Sequence, residues 1–290
     1  MWFSLDNLVL ILIQAACVVL PAAGLPEWAD RLRGRWWAVI LPGSVIVVIV
    51  AISILPETAD ALTWIALFGV PIGCALALGW AARGSRPLLA VLAAPLLALA
   101  WAEPDERIGQ LAGALLIAGS AITLGRLLAG GTPLAWLKAG VYALAVVDAY
   151  LVFSGTLENP NQVLVAAAPG PDLPQLQSAS YGVMSIGYGD FFVAAVVGGI
   201  LAAENRSRLT VCVAGFATLV LSLAWDQLFL IYDELPATIP PALALLGVEL
   251  ACRRRDAGKG SGGGRYCPGV REGSPDASTS VPLESVSASG

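Results

Sequence analysis

The chain has 290 residues, of which 57% are hydrophobic and only 13% charged, with a formal net charge of −5. A soluble domain carries about 25% charged residues, so these values exclude an ordinary soluble globule, and the lack of a basic stripe excludes a nucleic-acid binder. The chain contains no histidine, which rules out HExxH zinc proteolysis, Ser–His hydrolysis and histidine-ligated haem.

A membrane-spanning helix needs about 20 mainly apolar residues. Nine stretches qualify, at about 7–24, 36–55, 61–82, 86–102, 108–129, 133–154, 181–203, 209–232 and 236–252. The pattern predicts an all-α fold, a polytopic bundle of about nine transmembrane helices in the lipid bilayer. The fourth and ninth are short, and Pro95 interrupts the fourth. No basic segment precedes the first, so it reads as a retained helix rather than a cleaved signal. Trp36, Trp37, Trp64, Trp80, Trp101 and Trp136 fall near predicted helix ends, as an aromatic belt requires. Cys17, Cys74, Cys212, Cys252 and Cys267 form no CxxC, so neither a metal site nor a disulfide framework is expected.

Lys and Arg set the orientation. Arg31, Arg33, Arg35, Arg83, Arg86, Arg206 and Arg208 lie on one set of connections, Arg126 and Lys138 flank the junction of spans five and six, and Arg253, Arg254 and Arg255 follow the last span. The opposite connections carry Arg107 and are otherwise acidic, with Glu57, Asp60, Glu103, Asp105, Glu106, Glu158, Asp172, Asp233 and Glu234. The positive-inside rule then puts the N-terminus outside and the C-terminus in the cytoplasm, which demands an odd number of spans. Residues 253–290 read as a disordered cytoplasmic tail rich in Gly, Ser and Pro. The short loops and Ala/Leu-rich helices point to a prokaryotic cell membrane.

Ionisable groups inside a span are costly and are functional candidates by default. Span six contains Asp148 in "LAVVDAYLVF" and span seven contains Asp190 in "SIGYGDFF". Asp148 lies six residues before Ser154, about 9 Å below the outer end at the helical rise, and Asp190 lies nine residues after Tyr181, about 13 Å down. Two antiparallel spans therefore bring the carboxylates to similar depths. A close pair in a low dielectric shares one proton. The ionised member can take a proton from water and the neutral one can donate to a carbonyl oxygen, which is aspartic-protease chemistry without metal or cofactor. Gly187 and Gly189 allow close approach of another backbone. In "LPATIPPALALL", Pro240 and Pro241 are expected to keep the start of span nine extended or kinked, with Pro241, Ala242 and Leu243 about 8 Å inside the outer end.

An Asp in span six, "GYGD" in span seven and "PAL" at span nine, in this order, resemble the presenilin and signal peptide peptidase family of GxGD intramembrane aspartyl proteases. Order, spacing and predicted orientation are closer to the signal peptide peptidase branch. The resemblance covers about residues 141–250, while the first five spans match in number and hydrophobicity. It implies a presenilin-like fold with an N-terminal transmembrane bundle at 1–132, a catalytic region at 133–252 and the tail at 253–290. It implies an intramembrane-cleaving aspartyl endopeptidase that cuts transmembrane helices or remnant signal peptides. Asp148 and Asp190 would be the catalytic pair. Gly187 and Gly189 would complete GxGD, and Pro241, Ala242 and Leu243 would shape the site and hold substrate. Val147 stands where the family usually has Tyr, and Ala244 where Pro often follows PAL.

Other readings remain at this level. A potassium filter also reads "GYGD", with a pore helix drawn at 173–184, but the 13 residues from Phe191 to Ala203 are too few for an inner pore helix. A prepilin-type peptidase lacks its basic residue after GxGD here. A non-catalytic helix binder of the same fold would keep both acids. Asp226, late in span eight, is expected near the outer surface or paired with a polar neighbour such as Gln227, and competes for a catalytic role. Glu249 and Lys138 are expected to snorkel from helix ends.

Overall fold

The computed structural model describes residues 5–24, 34–55, 57–155, 173–230 and 236–257, together with residues 163 and 167. Nine α-helices occur among them. They are α1 (Leu5–Val19), α2 (Ile40–Ile54), α3 (Glu57–Leu76), α4 (Ala93–Ala102), α5 (Arg107–Gly131), α6 (Leu134–Phe153), α7 (Tyr188–Ala203), α8 (Arg208–Asp226) and α9 (Ile239–Ala257). Each falls on one of the predicted apolar stretches. Short 3-10 turns lead into α2 and α4, and a π-helical turn, Ala77–Ala81, extends α3.

Four helical segments are long and apolar enough to cross a membrane: Glu57–Ala81, Arg107–Gly131, Leu134–Phe153 and Arg208–Asp226. The chain is therefore a helical membrane protein. Leu5–Val19, Pro87–Ala102 and Tyr188–Ala203 are apolar but shorter. At 1.5 Å per residue, 15 or 16 residues rise only about 23 Å, less than a hydrocarbon core of about 30 Å. Large side chains on the outer faces, such as Phe68, Val146 and Phe216, are more than half exposed, the composition a lipid-facing surface needs.

The centre of the bundle is α7. Its residues Phe191, Val193, Ala194, Ala195, Val196, Val197, Ile200 and Leu201 are all buried, so the helix is apolar all round and enclosed. It packs against α5, α1, α6 and α9. The α5–α7 contact is made by small residues. A Cβ on Gly199 would stand 2.7 Å from the Gly125 carbonyl oxygen, and one on Gly125 would stand 2.5 Å from the Ala195 carbonyl carbon. Small residues four apart on facing helices let backbones touch in this way. One apolar core runs from Leu10 on α1 to Val248 on α9, so it joins the sections on either side of residue 132.

The all-α expectation needs one correction. Residues 181–187, predicted as the first turns of span seven, belong to an antiparallel hairpin of β1 (Ser178–Tyr181) and β2 (Met184–Gly187). Gly182, with φ +60°, begins its two-residue turn, where a II′ hairpin requires a positive φ. Gln110 Oε1 accepts from the Gly182 N–H at 2.7 Å and fixes the turn to α5.

Two side-chain expectations are also corrected. Lys138 and Glu249 do not snorkel. Lys138 Nζ meets Glu204 Oε1 at 2.5 Å and Glu249 Oε1 at 2.8 Å, and Arg206 Nε meets Glu204 Oε2 at 2.8 Å. Opposite charges on α6, on α9 and just after α7 converge, so pairing replaces solvation. Trp80 stands at the end of the helical segment Glu57–Ala81, half-buried beneath the Arg126 guanidinium, which lies 3.8 Å from its ring centroid. Residues 253–257, assigned to the tail, continue α9. Arg31, Arg33, Cys267, most of the loop 155–180 and the tail from 258 lie outside the described residues.

Candidate active site

The geometry begins with the "GYGD" turn. Gly187 ends β2 with extended backbone and is the N-cap of α7, so Asp190 is the third residue of the helix. From there its carboxylate lies near the Gly187 N–H. That is the reach-back direction of a capping box, and negative charge in a first helical turn is favoured. The local fold also changes how the residue reaches its depth. The strand from Met184 to Gly187 rises about 10 Å at the strand spacing, so Asp190 lies well below the hairpin tip, in the helix's first turn rather than its third.

Asp148 lies on α6, five residues before the helix ends at Phe153. It is half-buried, as is Asp190, and the two are close enough for the charge of Asp148 to act on Asp190. Asp148 Oδ2 accepts the Thr238 hydroxyl at 2.6 Å. The backbone N–H of Thr238 lies near the same carboxylate. Of the GxGD glycines, Gly189 faces open space next to Asp190. A Cβ on Gly189 would meet nothing within 4 Å, and one on Gly187 would meet Asp190 Oδ2 at 3.5 Å.

The "PAL" segment is helical, which corrects the expectation of extended backbone at Pro240 and Pro241. Both occupy the first turn of α9, where backbone N–H groups have no intrahelical acceptor and proline costs nothing. The non-helical backbone lies just before it, at residues 236–238. Pro241 and Ala242 are buried, while Leu243 is 42% exposed. The structure therefore brings together Asp148, Asp190, Gly187, Gly189 and the start of α9. Leu243 faces outward.

Gln14 is a residue of this site that sequence reasoning missed. It is 2% exposed on α1. Its Nε2 reaches the Asp190 carbonyl oxygen at 3.5 Å and the Ala237 carbonyl oxygen at 3.4 Å, and its Oε1 accepts from Ser222 Oγ at 3.3 Å. One buried amide thus joins the GxGD turn to the backbone before the PAL segment. The signal was present as a lone amide in the apolar run "LVLILIQAACVV". Tyr188, between the two glycines, pairs its hydroxyl with Ser120 Oγ of α5 at 2.9 Å.

Asp226 is elsewhere. It ends α8 and accepts from Asn7 Nδ2 of α1, not from Gln227. The segment 173–184, where a channel would need a pore helix, contains no helix and carries most of the hairpin. A cavity of about 690 Å³ opens between the ends of α5 and α7 and the start of α6, lined by Gly130, Thr132 and Asn205 among others. Asn205 is 15 residues from Asp190, about 20 Å along the helix direction, so this cavity is remote from the acids. Among the described residues no group of three His, Cys, Asp or Glu side chains could hold a metal ion. No family model, curated protein or solved structure matches the chain.

Proposed function

We propose that the chain is an intramembrane aspartyl endopeptidase of the presenilin and signal peptide peptidase type, with Asp148 and Asp190 as its catalytic pair. The observation that carries this reading is the pair itself. Two carboxylates on separate helices come within electrostatic reach, Asp148 held by the Thr238 hydroxyl and Asp190 in the first turn of α7, with open space at Gly189. Among the described residues neither acid forms a salt bridge. Two acids that share a site can hold one proton between them, the state that hydrolysis of a peptide bond uses.

The ionised carboxylate takes a proton from water as the water oxygen adds to the scissile carbonyl carbon. The neutral carboxyl gives its proton to the carbonyl oxygen. The tetrahedral intermediate then loses its C–N bond as the nitrogen is protonated, which yields a carboxylic acid and an amine and returns one proton to the pair. No cofactor takes part.

Substrates are single-span helices or remnant signal peptides that enter laterally between α6 and α9. Unwinding near the PAL segment frees an extended strand, and the edge of the hairpin beside GxGD, which no other described strand pairs, offers it main-chain hydrogen bonds. The reading includes nine spans, an outside N-terminus, a cytoplasmic C-terminus and a prokaryotic cell membrane.

The test is cleavage of a fluorogenic single-span signal peptide by purified wild type, Asp148→Asn, Asp190→Asn and Asp226→Asn. Loss with the first two variants and retention with the third is the expected result. Full activity in a folded Asp190→Asn protein would sink the proposal.

A further inference from the structure

Thr238 stands immediately before α9, as its N-cap, and its carbonyl oxygen accepts the Ala242 N–H at 3.4 Å, the first bond of the helix. A threonine at this position ordinarily turns its hydroxyl back onto its own helix, to accept an N–H two or three residues on. Those residues are Pro240 and Pro241, and neither has an N–H. A capping box is excluded for the same reason, because a proline third in the helix has no side chain to reach back to the Thr238 N–H. The sequence "TIPP" therefore removes both customary partners of the capping threonine. Its hydroxyl goes to another helix instead: it lies 2.6 Å from Asp148 Oδ2, and the Thr238 N–H lies near the same carboxylate. Thr238 is 5% exposed, so water does not compete for the pair freely.

We infer that Thr238 is a positioning residue for Asp148, and that the turn before the PAL helix is built to hold this carboxylate rather than to cap α9. The hydroxyl gives one carboxylate oxygen a short bond of charge-assisted length, with the N–H of the same residue nearby. The same turn is anchored on its other side, where the Ala237 carbonyl oxygen accepts from Gln14. A substrate strand that presses on residues 236–238 thus acts on Asp148 through Thr238, which links docking at the PAL segment to alignment of the acid. This inference rests on the protease reading for its consequence but not for its contact.

The experiment compares Thr238→Val, which keeps the branched shape and loses the hydroxyl, with Thr238→Ser, which keeps the hydroxyl. Wild type, Asp148→Asn and Asp190→Asn are assayed alongside on the same signal-peptide substrate. Thr238→Val should lower kcat by about tenfold or more, as loss of one charge-assisted hydrogen bond at the acid requires. Its KM should stay within about twofold, since the group touches the acid and not the substrate. Thr238→Ser should recover most of kcat. Wild-type kcat in Thr238→Val, or equal impairment in Thr238→Ser, would overturn the inference. Cleavage by the Asn variants, or by no protein at all, would instead refute the protease reading. The contact is then read directly by infrared spectroscopy. The Asp148 carboxyl band, assigned from its loss in Asp148→Asn, should shift in Thr238→Val and not in Thr238→Ser. An unmoved band overturns the inference whatever the activity.

Discussion

Lys138 Nζ lies 2.5 Å from Glu204 Oε1, so the first turns of α6 are tied to the residue that follows α7. Glu249 on α9 completes the group, and Tyr142 donates to it at 3.2 Å. The helices that carry the proposed acids and the PAL segment are thereby fastened together at the end remote from the acids. Removing the shared cation leaves Glu204 with Arg206 and Glu249 with the Tyr142 hydroxyl, so Glu249 alone loses its cation. Lys138→Met should destabilise the protein by about 1–3 kcal/mol, read as a lowered thermal midpoint in detergent. Adding Glu249→Gln should recover much of that loss. An unchanged midpoint in the single variant would show that the group contributes nothing.

Cleavage should depend on pH as a bell. At low pH both Asp148 and Asp190 are protonated and no base remains to take the water proton. At high pH both are ionised and no acid remains to protonate the carbonyl. Activity is highest between, where the pair holds one proton, and the two limbs belong to the pair rather than to either residue. The measurement is kcat against pH with wild type. A profile flat from acid to mildly alkaline pH would contradict a shared proton.

Asp226 is held by Asn7 of α1, whereas Asp148 is held by Thr238 before α9. Asp226→Asn should keep cleavage within about twofold, because an amide can still accept from Asn7. Asn7→Leu should destabilise by about 1–3 kcal/mol, since the half-buried carboxylate loses its donor. Loss of cleavage in a stable Asp226→Asn protein would move the catalytic label to this residue.

Hydropathy made the helix positions legible, because the interior of a bilayer forces each span to be apolar and internally hydrogen-bonded. It did not reveal the hairpin. "YGVMSIG" is apolar enough to read as the start of a span, and what delays the helix to Tyr188 is a turn signal, a Gly first in a two-residue loop between short alternating runs. The pairing of Asp148 with Thr238 was also hidden, since 90 residues separate them and the hydroxyl's direction follows from two prolines that lack N–H groups. Lys138 illustrates the opposite error. Its position suggested snorkelling, and only the packing of α6 against α7 and α9 brings the two glutamates within reach. The motif acids themselves were legible because an ionisable side chain in an apolar span is rare.

Glycines in this bundle should divide by what their missing Cβ would meet. At Gly199 an added methyl would press on the Gly125 carbonyl, 2.7 Å away, and on Ala129 Cβ at 2.9 Å. Both neighbours belong to α5, whose backbone cannot yield without opening the α5–α7 contact at the centre of the core. Gly199→Ala should therefore cost about 1–3 kcal/mol, the usual penalty of overpacking. At Gly247 on α9 nothing lies within 4 Å, so the same change adds no clash and lowers the backbone entropy cost of the helix. Gly247→Ala should stabilise by about 0.5–1 kcal/mol. Thermal midpoints of the two variants in one detergent should move in opposite directions. If both rise, the close approach of α5 and α7 is not part of the native packing.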